Sequence, residues 1–505
     1  MRHIIIGLIA ILAISAALWK LNSARDGIEI VRSEVGATPV TVFRPVSGAP
    51  APVAVIAHGF AGSQQLMQPF ALTLARNGYV ALTFDFLGHG AHQQALPGGL
   101  ADQNASMKAL IAQLGEIAAF ARKLPGGNGR MAVLGHSMAS DIVVRHAQAH
   151  PDTDATIAVS VFSPVATVTS PRNLLVIDGA LEPSFLKDEG RRLVGMATSG
   201  PVEENVTYGN VADGTARRLV FARGVEHIGV LYSSDSMAAA RDWLNEVYGR
   251  SGSGFIDARG PWLGLLYLGL IALAWALARL LPPAAAAPRG LGLPWRLLLP
   301  AAIAPALLTP LILWKMPTGF LPLLLGDYLV LHFALYGLLT AGALYLAHRA
   351  GGTAVLPPVS WRPLVIASAA CIAFSIVAIG IPTDRYVSGL ALTPVRLPLV
   401  AAMLVGTLLY FIADEWTTRG PNAPRGAYAF TKFCFLASLA IAISLNLQKL
   451  FFLIIIVPAI LLLFVVYGLF SGWAYRRTFD PLPGALCAAI TFAWAIAVTF
   501  PMVGR

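Results

Sequence analysis

The sequence predicts two fold classes in one chain: a mostly parallel α/β sheet domain with helices on both faces, and an all-α bundle of transmembrane helices. Three observations predict this. Of 505 residues, 56% are hydrophobic and only 12% are charged, about half the ~25% charged fraction of an average soluble domain, and the mean hydropathy is +0.67. The pattern changes along the chain: residues 27–250 alternate short β-branched runs with longer helical ones, whereas residues 261–505 carry long apolar stretches. Charge divides the same way, with net values of +2 for residues 1–26, −2 for 27–250 and +10 for 251–505. The basic excess therefore lies between apolar stretches, where Lys and Arg set orientation in a bilayer. It forms no stripe suited to a phosphate backbone, so no nucleic-acid partner is expected.

In chain order, residues 1–26 read as a signal anchor: Ile4 to Trp19 is apolar or small behind Arg2 and His3, and the small-residue pattern for cleavage is poor. Within 27–250, strands are expected at Val40–Phe43, Val53–Ala57, Val80–Phe84, Met131–Gly135, Thr156–Val161, Asn173–Asp178 and Arg218–Ala222. Helices are expected at Met67–Asn77, Ser106–Leu124, Ala139–Ala149 and Ser236–Tyr248. Continuous apolar strands alternating with helices predict a sheet buried on both faces. Residues 251–260 form a Gly/Ser linker. The remainder, 261–505, holds eight apolar spans near 261–281, 295–316, 320–347, 363–382, 395–413, 429–448, 450–473 and 484–503. Each is long enough to cross ~30 Å of hydrocarbon at 1.5 Å per residue, so the lipid bilayer is an expected partner.

With a cytoplasmic amino terminus, eleven Lys and Arg of the anchor and bundle fall on the cytoplasmic side. The other side receives five: Lys315, Arg385, Arg396, Lys449 and Arg505. This bias predicts a multi-pass inner-membrane protein with residues 27–250 outside the cytoplasm. Within the spans, Asp327 and His332 stand out, because an ionisable group in lipid is costly; Asp327 is about a dozen residues from Lys315 and is expected to pair with it near the outer interface. Pro300, Pro305 and Pro310 predict a kinked or broken helix, and Asp414 and Glu415 read as a helix end at the surface. Cys371, Cys434 and Cys487 lie in apolar runs with no disulfide or metal-ligand spacing. With no phosphate loop, metal cluster or dinucleotide fingerprint, no cofactor is expected.

The strongest chemical signal is Gly135-His136-Ser137-Met138-Ala139, after an apolar strand and before a helix. A serine on such a turn exposes its hydroxyl, and small flanking residues relieve the crowding. His58-Gly59-Phe60 ends an earlier strand, so the amides of Phe60 and Met138 are positioned as oxyanion donors. Downstream, Glu182 lies on the loop after Asn173–Asp178, and His227 on the loop after Arg218–Ala222. A serine nucleophile needs a histidine to take its proton and a carboxylate to fix the ring; Asp178 is the other candidate acid.

At these residues, and at Asp85-Phe86-Leu87-Gly88-His89-Gly90, the sequence resembles the α/β-hydrolase superfamily, in particular its small, lidless esterase-like members, over roughly residues 29–250. The resemblance implies a Ser137–Glu182–His227 triad with Phe60 and Met138 as oxyanion donors. Ala139 stands where Gly is more usual, and Glu182 where Asp is commoner. The bundle resembles no recognised family. The expectation is a membrane-anchored serine hydrolase acting on small-molecule or lipid-like carboxylic esters or thioesters. An acyltransferase with the same triad is an alternative, as is a transporter or channel-like protein with a non-catalytic outer domain. Oligomeric state and substrate-binding residues are not readable from the sequence.

Overall fold

The computed structural model describes residues 1–99, 102–252, 254–350 and 356–504; Arg505, used in the charge argument, and Ser253 of the linker lie outside them. By contacts the chain forms two units. One comprises Ser15–Leu266 together with Thr383–Ala391 and the residues after 500; the other comprises Met1–Ile14, Tyr267–Pro382 and Leu392–Phe500.

The first unit contains a nine-stranded sheet: β1 (Ile28–Val35), β2 (Thr38–Pro45), β3 (Ala51–Ala57), β4 (Val80–Phe84), β5 (Gly127–His136), β6 (Ala155–Val159), β7 (Leu174–Gly179), β8 (Thr207–Tyr208) and β9 (Arg217–Ala222). Their order is β1-β2-β4-β3-β5-β6-β7-β9-β8. From β4 to β9 the central strands pair in parallel, while β1, β2 and β8 are antiparallel to their neighbours. Every residue of β3, β4, β6 and β7 is buried, as strands covered on both faces require.

After α1 (Arg2–Ser23), this unit holds α2 (Gln68–Arg76), α3 (Gln103–Ala121), α4 (Met138–Ala149), α5 (Ser184–Gly195) and α6 (Ser234–Tyr248). Local signals set their ends. The Asp102 carboxylate accepts the Ala105 amide at the start of α3, and α6 stops at Gly249, in the left-handed region at φ 61°. One apolar layer, with Phe70, Leu74 and Trp243, packs on one face of the sheet; the other face carries Leu114, Ile117 and Ile142. The sequence reading gives seven of these strands and four of the five helices. It lacks β1, largely exposed at the sheet edge, the two-residue β8, and α5.

Two further segments complete this unit, a grouping that the linear division of the sequence does not contain. Around Gly88 the chain pairs with the carboxyl-terminal tail: the Met502 amide donates to the Gly88 carbonyl at 2.8 Å, and the Leu96 amide donates to the Met502 carbonyl at 2.9 Å. The Gly389 amide donates to Ser63 Oγ at 2.7 Å, and Arg259 donates to the Tyr386 carbonyl.

The second unit is all helical: α7 (Gly260–Leu277), α8 (Trp295–Leu313), α9 (Gly326–Ala350), α10 (Trp361–Phe374), α11 (Ile381–Tyr386), α12 (Leu397–Thr418), α13 (Ala427–Leu445), α14 (Leu447–Leu450), α15 (Leu453–Thr478) and α16 (Leu482–Thr499), with parts of α1, α7 and α11 belonging to the first unit. Among the described residues, nine helical segments, counting that of α1, are long and apolar enough to cross a membrane. α12 packs against both α9 and α16, around aromatic rings that include Phe333, Phe411 and Phe492.

Three expectations change here. Asp414 and Glu415 do not mark a surface: both are buried, ion-paired with Lys432 and Arg419 respectively. Asp414, near the end of α12, and Lys432, on α13, are drawn inward because the pair replaces the water each charge loses. Asp327 accepts the amide of Tyr328, and among the described residues it forms no ion pair with Lys315, whose ammonium lies over the Trp314 ring. α8 runs as one helix through Pro300, Pro305 and Pro310, so of the kinked and broken alternatives the break does not occur.

Candidate active site

The site is built where β3, β5, β6, β7 and β9 end. β5 delivers the chain to Ser137, which has φ 55° and ψ −117°, a region that a side chain other than Gly adopts only under local constraint. Its amide donates to the Val159 carbonyl at 2.8 Å, and its own carbonyl accepts the Ser140 amide at 2.8 Å. The turn tolerates little bulk: a Cβ on Gly135 would come within 2.3 Å of the Ala139 carbonyl. Ala139 itself is fully buried, so its methyl group fits where Gly is more usual.

Ser137 Oγ lies 2.9 Å from His227 Nε2. On the far side of the ring, His227 Nδ1 lies 3.3 Å from Glu182 Oε1. That is ion-pair distance without hydrogen-bond alignment, and among the described residues Nδ1 has no hydrogen-bond partner. The Glu182 carboxylate is completely buried, whereas a quarter of the imidazole is exposed. Ser160 Oγ–H donates to the same carboxylate oxygen. The three candidate side chains are thus brought together from three separate loops, in an order that can pass a proton from hydroxyl to imidazole and hold the resulting cation against a carboxylate.

Asp178 is elsewhere. Its Oδ1 accepts the Val161 amide at 3.0 Å, and α5 passes so close that a Cβ on Gly190 would sit 2.4 Å from Oδ2. Burial pushes its carboxyl well above the ordinary carboxylate range. Asp178 is a buried acid at a strand end.

Met138 opens α4, where helix amides lack partners within the helix. Phe60 follows Gly59, and a Cβ on Gly59 would lie 3.1 Å from Ser137 Cβ, so the β3 loop passes directly beside the serine turn. This loop is held rigidly. His58 is buried, Nδ1–H donating to the Gly59 carbonyl at 2.8 Å and Nε2 accepting the Phe86 amide at 3.0 Å; burial lowers its pKa. Asp85 accepts the Gln64 amide and side chain and the Ala91 amide.

Three positioning residues have no assigned role in the sequence reading. His136, beside the serine, donates Nε2–H to the His227 carbonyl at 2.9 Å; burial first, then His227, holds its pKa down to about 3, so it stays a neutral donor. Glu226 accepts the amides of Ile228 and Gly229, both at 2.8 Å, which shapes the turn carrying His227. Ser160 supports Glu182. Only His136 carried a signal, its place inside the serine motif. Around the array, Phe162, Leu181, Phe185 and Ile228 are 56%, 66%, 60% and 42% exposed. Phe162, Leu181 and Ile228 sit on loops and Phe185 at the start of α5, so this collar of exposed apolar side chains stands within three residues along the chain of Ser160, Glu182 or His227.

Residues 48–182 match the family described as serine aminopeptidase, S33. Similar solved structures include a Thermoplasma acidophilum protein described as a CIB-like hydrolase (16% identity, 44% of this chain and 98% of that one, TM-score 0.32). Others are a Klebsiella pneumoniae protein described as a dienelactone hydrolase (14%, 44% and 99%, TM-score 0.32) and Est1E of Butyrivibrio proteoclasticus with ferulic acid bound (14%, 44% and 100%, TM-score 0.32). No curated protein sequence matches. The mostly parallel sheet with helices on both faces has the fold class of the α/β hydrolases, and an all-helical region with membrane-length apolar helices follows it.

Proposed function

We propose that this α/β-hydrolase domain is a membrane-anchored serine hydrolase that cleaves carboxylic esters or thioesters of lipid-like molecules. The observation that carries the reading is the 2.9 Å approach of Ser137 Oγ to His227 Nε2 with Glu182 behind the ring. In the first step, Nε2 takes the Oγ proton as Oγ bonds to the acyl carbon. The amides of Phe60 and Met138 receive the developing oxyanion. The tetrahedral adduct collapses, the imidazolium gives its proton to the departing alkoxide or thiolate, and an acyl-Ser137 ester remains. Water then adds, with His227 taking its proton, and the carboxylic acid leaves as Oγ regains a proton.

Two features support a lipid-like substrate. The collar of Phe162, Leu181, Phe185 and Ile228 favours an acyl group over a polar one. The loops carrying Ser63 and Gly88 bond to segments 383–391 and 501–504, which continue from apolar helices. The distribution of Lys and Arg supports a multi-pass protein with this domain outside the cytoplasm.

The test uses the full-length protein in neutral detergent, assayed with p-nitrophenyl esters of short and long chain and with an aminoacyl arylamide, the last because of the aminopeptidase family match. Ester turnover that rises with chain length and disappears in Ser137→Ala is expected, together with fluorophosphonate labelling of the parent protein only. Labelling retained in Ser137→Ala would overturn the nucleophile, and turnover of the arylamide alone would replace the ester reading with an amidase.

A further inference from the structure

The helical unit holds an apolar cavity of about 290 Å³, a feature the hydrolase chemistry does not use. Its wall comes from four elements of membrane length, with Leu277 on α7, Ile366 and Ala370 on α10, Phe470 on α15 and Cys487 on α16 among its lining residues. Two polar side chains of this wall, Tyr467 and Cys487, bond to protein groups. Tyr467 Oη and Ser375 Oγ are 2.5 Å apart, Ser375 Oγ lies 2.8 Å from Thr491 Oγ1, and the Cys487 thiol donates to the Cys371 carbonyl. Most of the lining is apolar, with Leu277, Leu280, Leu281, Ile366, Phe374 and Phe470, which suits hydrocarbon better than a sugar, nucleotide or amine.

One end of this cavity is basic. Arg279 lies between two lining residues, Ala278 and Leu280. Arg476 and Arg477 follow the lining residue Ala474 by two and three positions, and Arg477 Nε donates to the carbonyl of Leu281, which also lines it. Arg362 stands one helical turn before Ile366, on the same stripe of α10. All four are exposed, and among the described residues none is in an ion pair. The nearest acid along the chain, Asp480, is taken by Arg289 at 2.8 Å.

We infer that this cavity holds an acyl chain of an anionic phospholipid, whose phosphate lies against the arginines at its mouth. Basic residues beside an apolar cleft between membrane helices are the chemistry that selects such lipids. This inference is independent of the hydrolase reading, since no catalytic residue takes part.

The experiment uses full-length protein stripped of lipid in a neutral detergent. Lipid retention is measured by native mass spectrometry, and the unfolding midpoint is measured with added phosphatidylglycerol, phosphatidylcholine of identical chains, or glycerol 3-phosphate. Phosphatidylglycerol should raise the midpoint and bind about tenfold tighter than phosphatidylcholine, and glycerol 3-phosphate should do neither. The double variant Arg279→Gln/Arg476→Gln, on exposed positions, should bring phosphatidylglycerol down to the phosphatidylcholine level. Ala370→Trp, which fills the cavity, should remove the response to both lipids. Equal retention of the two lipids, an equal effect of glycerol 3-phosphate, or variants that respond like the parent would each overturn the inference.

Discussion

The surroundings of Ser137 and the core of the helical unit handle buried polarity in different ways. In the sheet domain, burial favours the neutral forms of His58 and His136 beside Ser137, and of Asp178 at the end of β7. In the helical unit, full charges are buried as pairs, Lys432 with Asp414 and Arg419 with Glu415. Neutral donors and acceptors can fix loop geometry without imposing a field on the nucleophile. Ion pairs instead hold helix ends together where the chain has no sheet to do so. The contrast teaches that buried groups beside the proposed nucleophile act as hydrogen-bonding props, whereas buried charges, including Arg259 with Asp257 in the sheet unit, act as pairs that lock segments together.

The contrast can be broken at several points, the largest effect first. Ser137→Ala should lower ester turnover by about 10⁴ to 10⁶-fold without moving the unfolding midpoint; a comparable loss of midpoint would turn the serine into a folding residue. Glu182→Gln should cost about 10⁴-fold in kcat, since it removes the charge facing the imidazolium and keeps the shape. Steady-state kinetics that stay within tenfold would hand the acid's role to another group. Lys432→Met should destabilise the protein by roughly 3–5 kcal/mol by leaving Asp414 unpaired, and pairing it with Asp414→Leu should restore most of the loss. Thermal unfolding in detergent reads both, and a double variant no better than the single would show that the charges do more than neutralise one another.

Smaller effects lie in the pH dependence. His136 has a native pKa near 3 and an unfolded value near 6.5, so the unfolded chain binds the proton first. Its contribution to stability is complete above pH 6.5 and is lost as pH falls toward 3. His136→Gln should flatten that decline by about one proton, although His146, held down to about 4, keeps a similar slope of its own. Asp178 has the opposite sign: its raised native pKa favours folding most below its ordinary 3.8, and that advantage is lost as pH rises through the range up to the raised value. Asp178→Asn should therefore be slightly more stable than the parent at neutral pH, equal to it in acid, and unaltered in kcat. A collapse of kcat in this variant would make Asp178 part of the site.

Much of the sheet domain is legible in the sequence because its signals are local. Continuous apolar runs mark the buried strands, and Gly135 and Ala139 flank Ser137 because the turn admits nothing larger. β1 escapes because an exposed edge strand has no apolar run to show. His136 as a support for His227 is invisible for a different reason: its bond reaches 91 residues along the chain. Asp414 and Glu415 look like a surface pair because a sequence cannot show that Lys432 and Arg419 turn inward to meet them. Segments 383–391 and 501–504 belong with the sheet domain only through contacts with loops hundreds of residues earlier.

The pairing of residue 502 with Gly88 and Leu96 also sets a timetable for biosynthesis. The loop after β4 gains these partners only once residue 502 has left the ribosome. A polypeptide that stalls within its last helices would carry every side chain of the proposed chemistry and still lack those bonds. A bulky insertion beside residue 502 would burden the same junction.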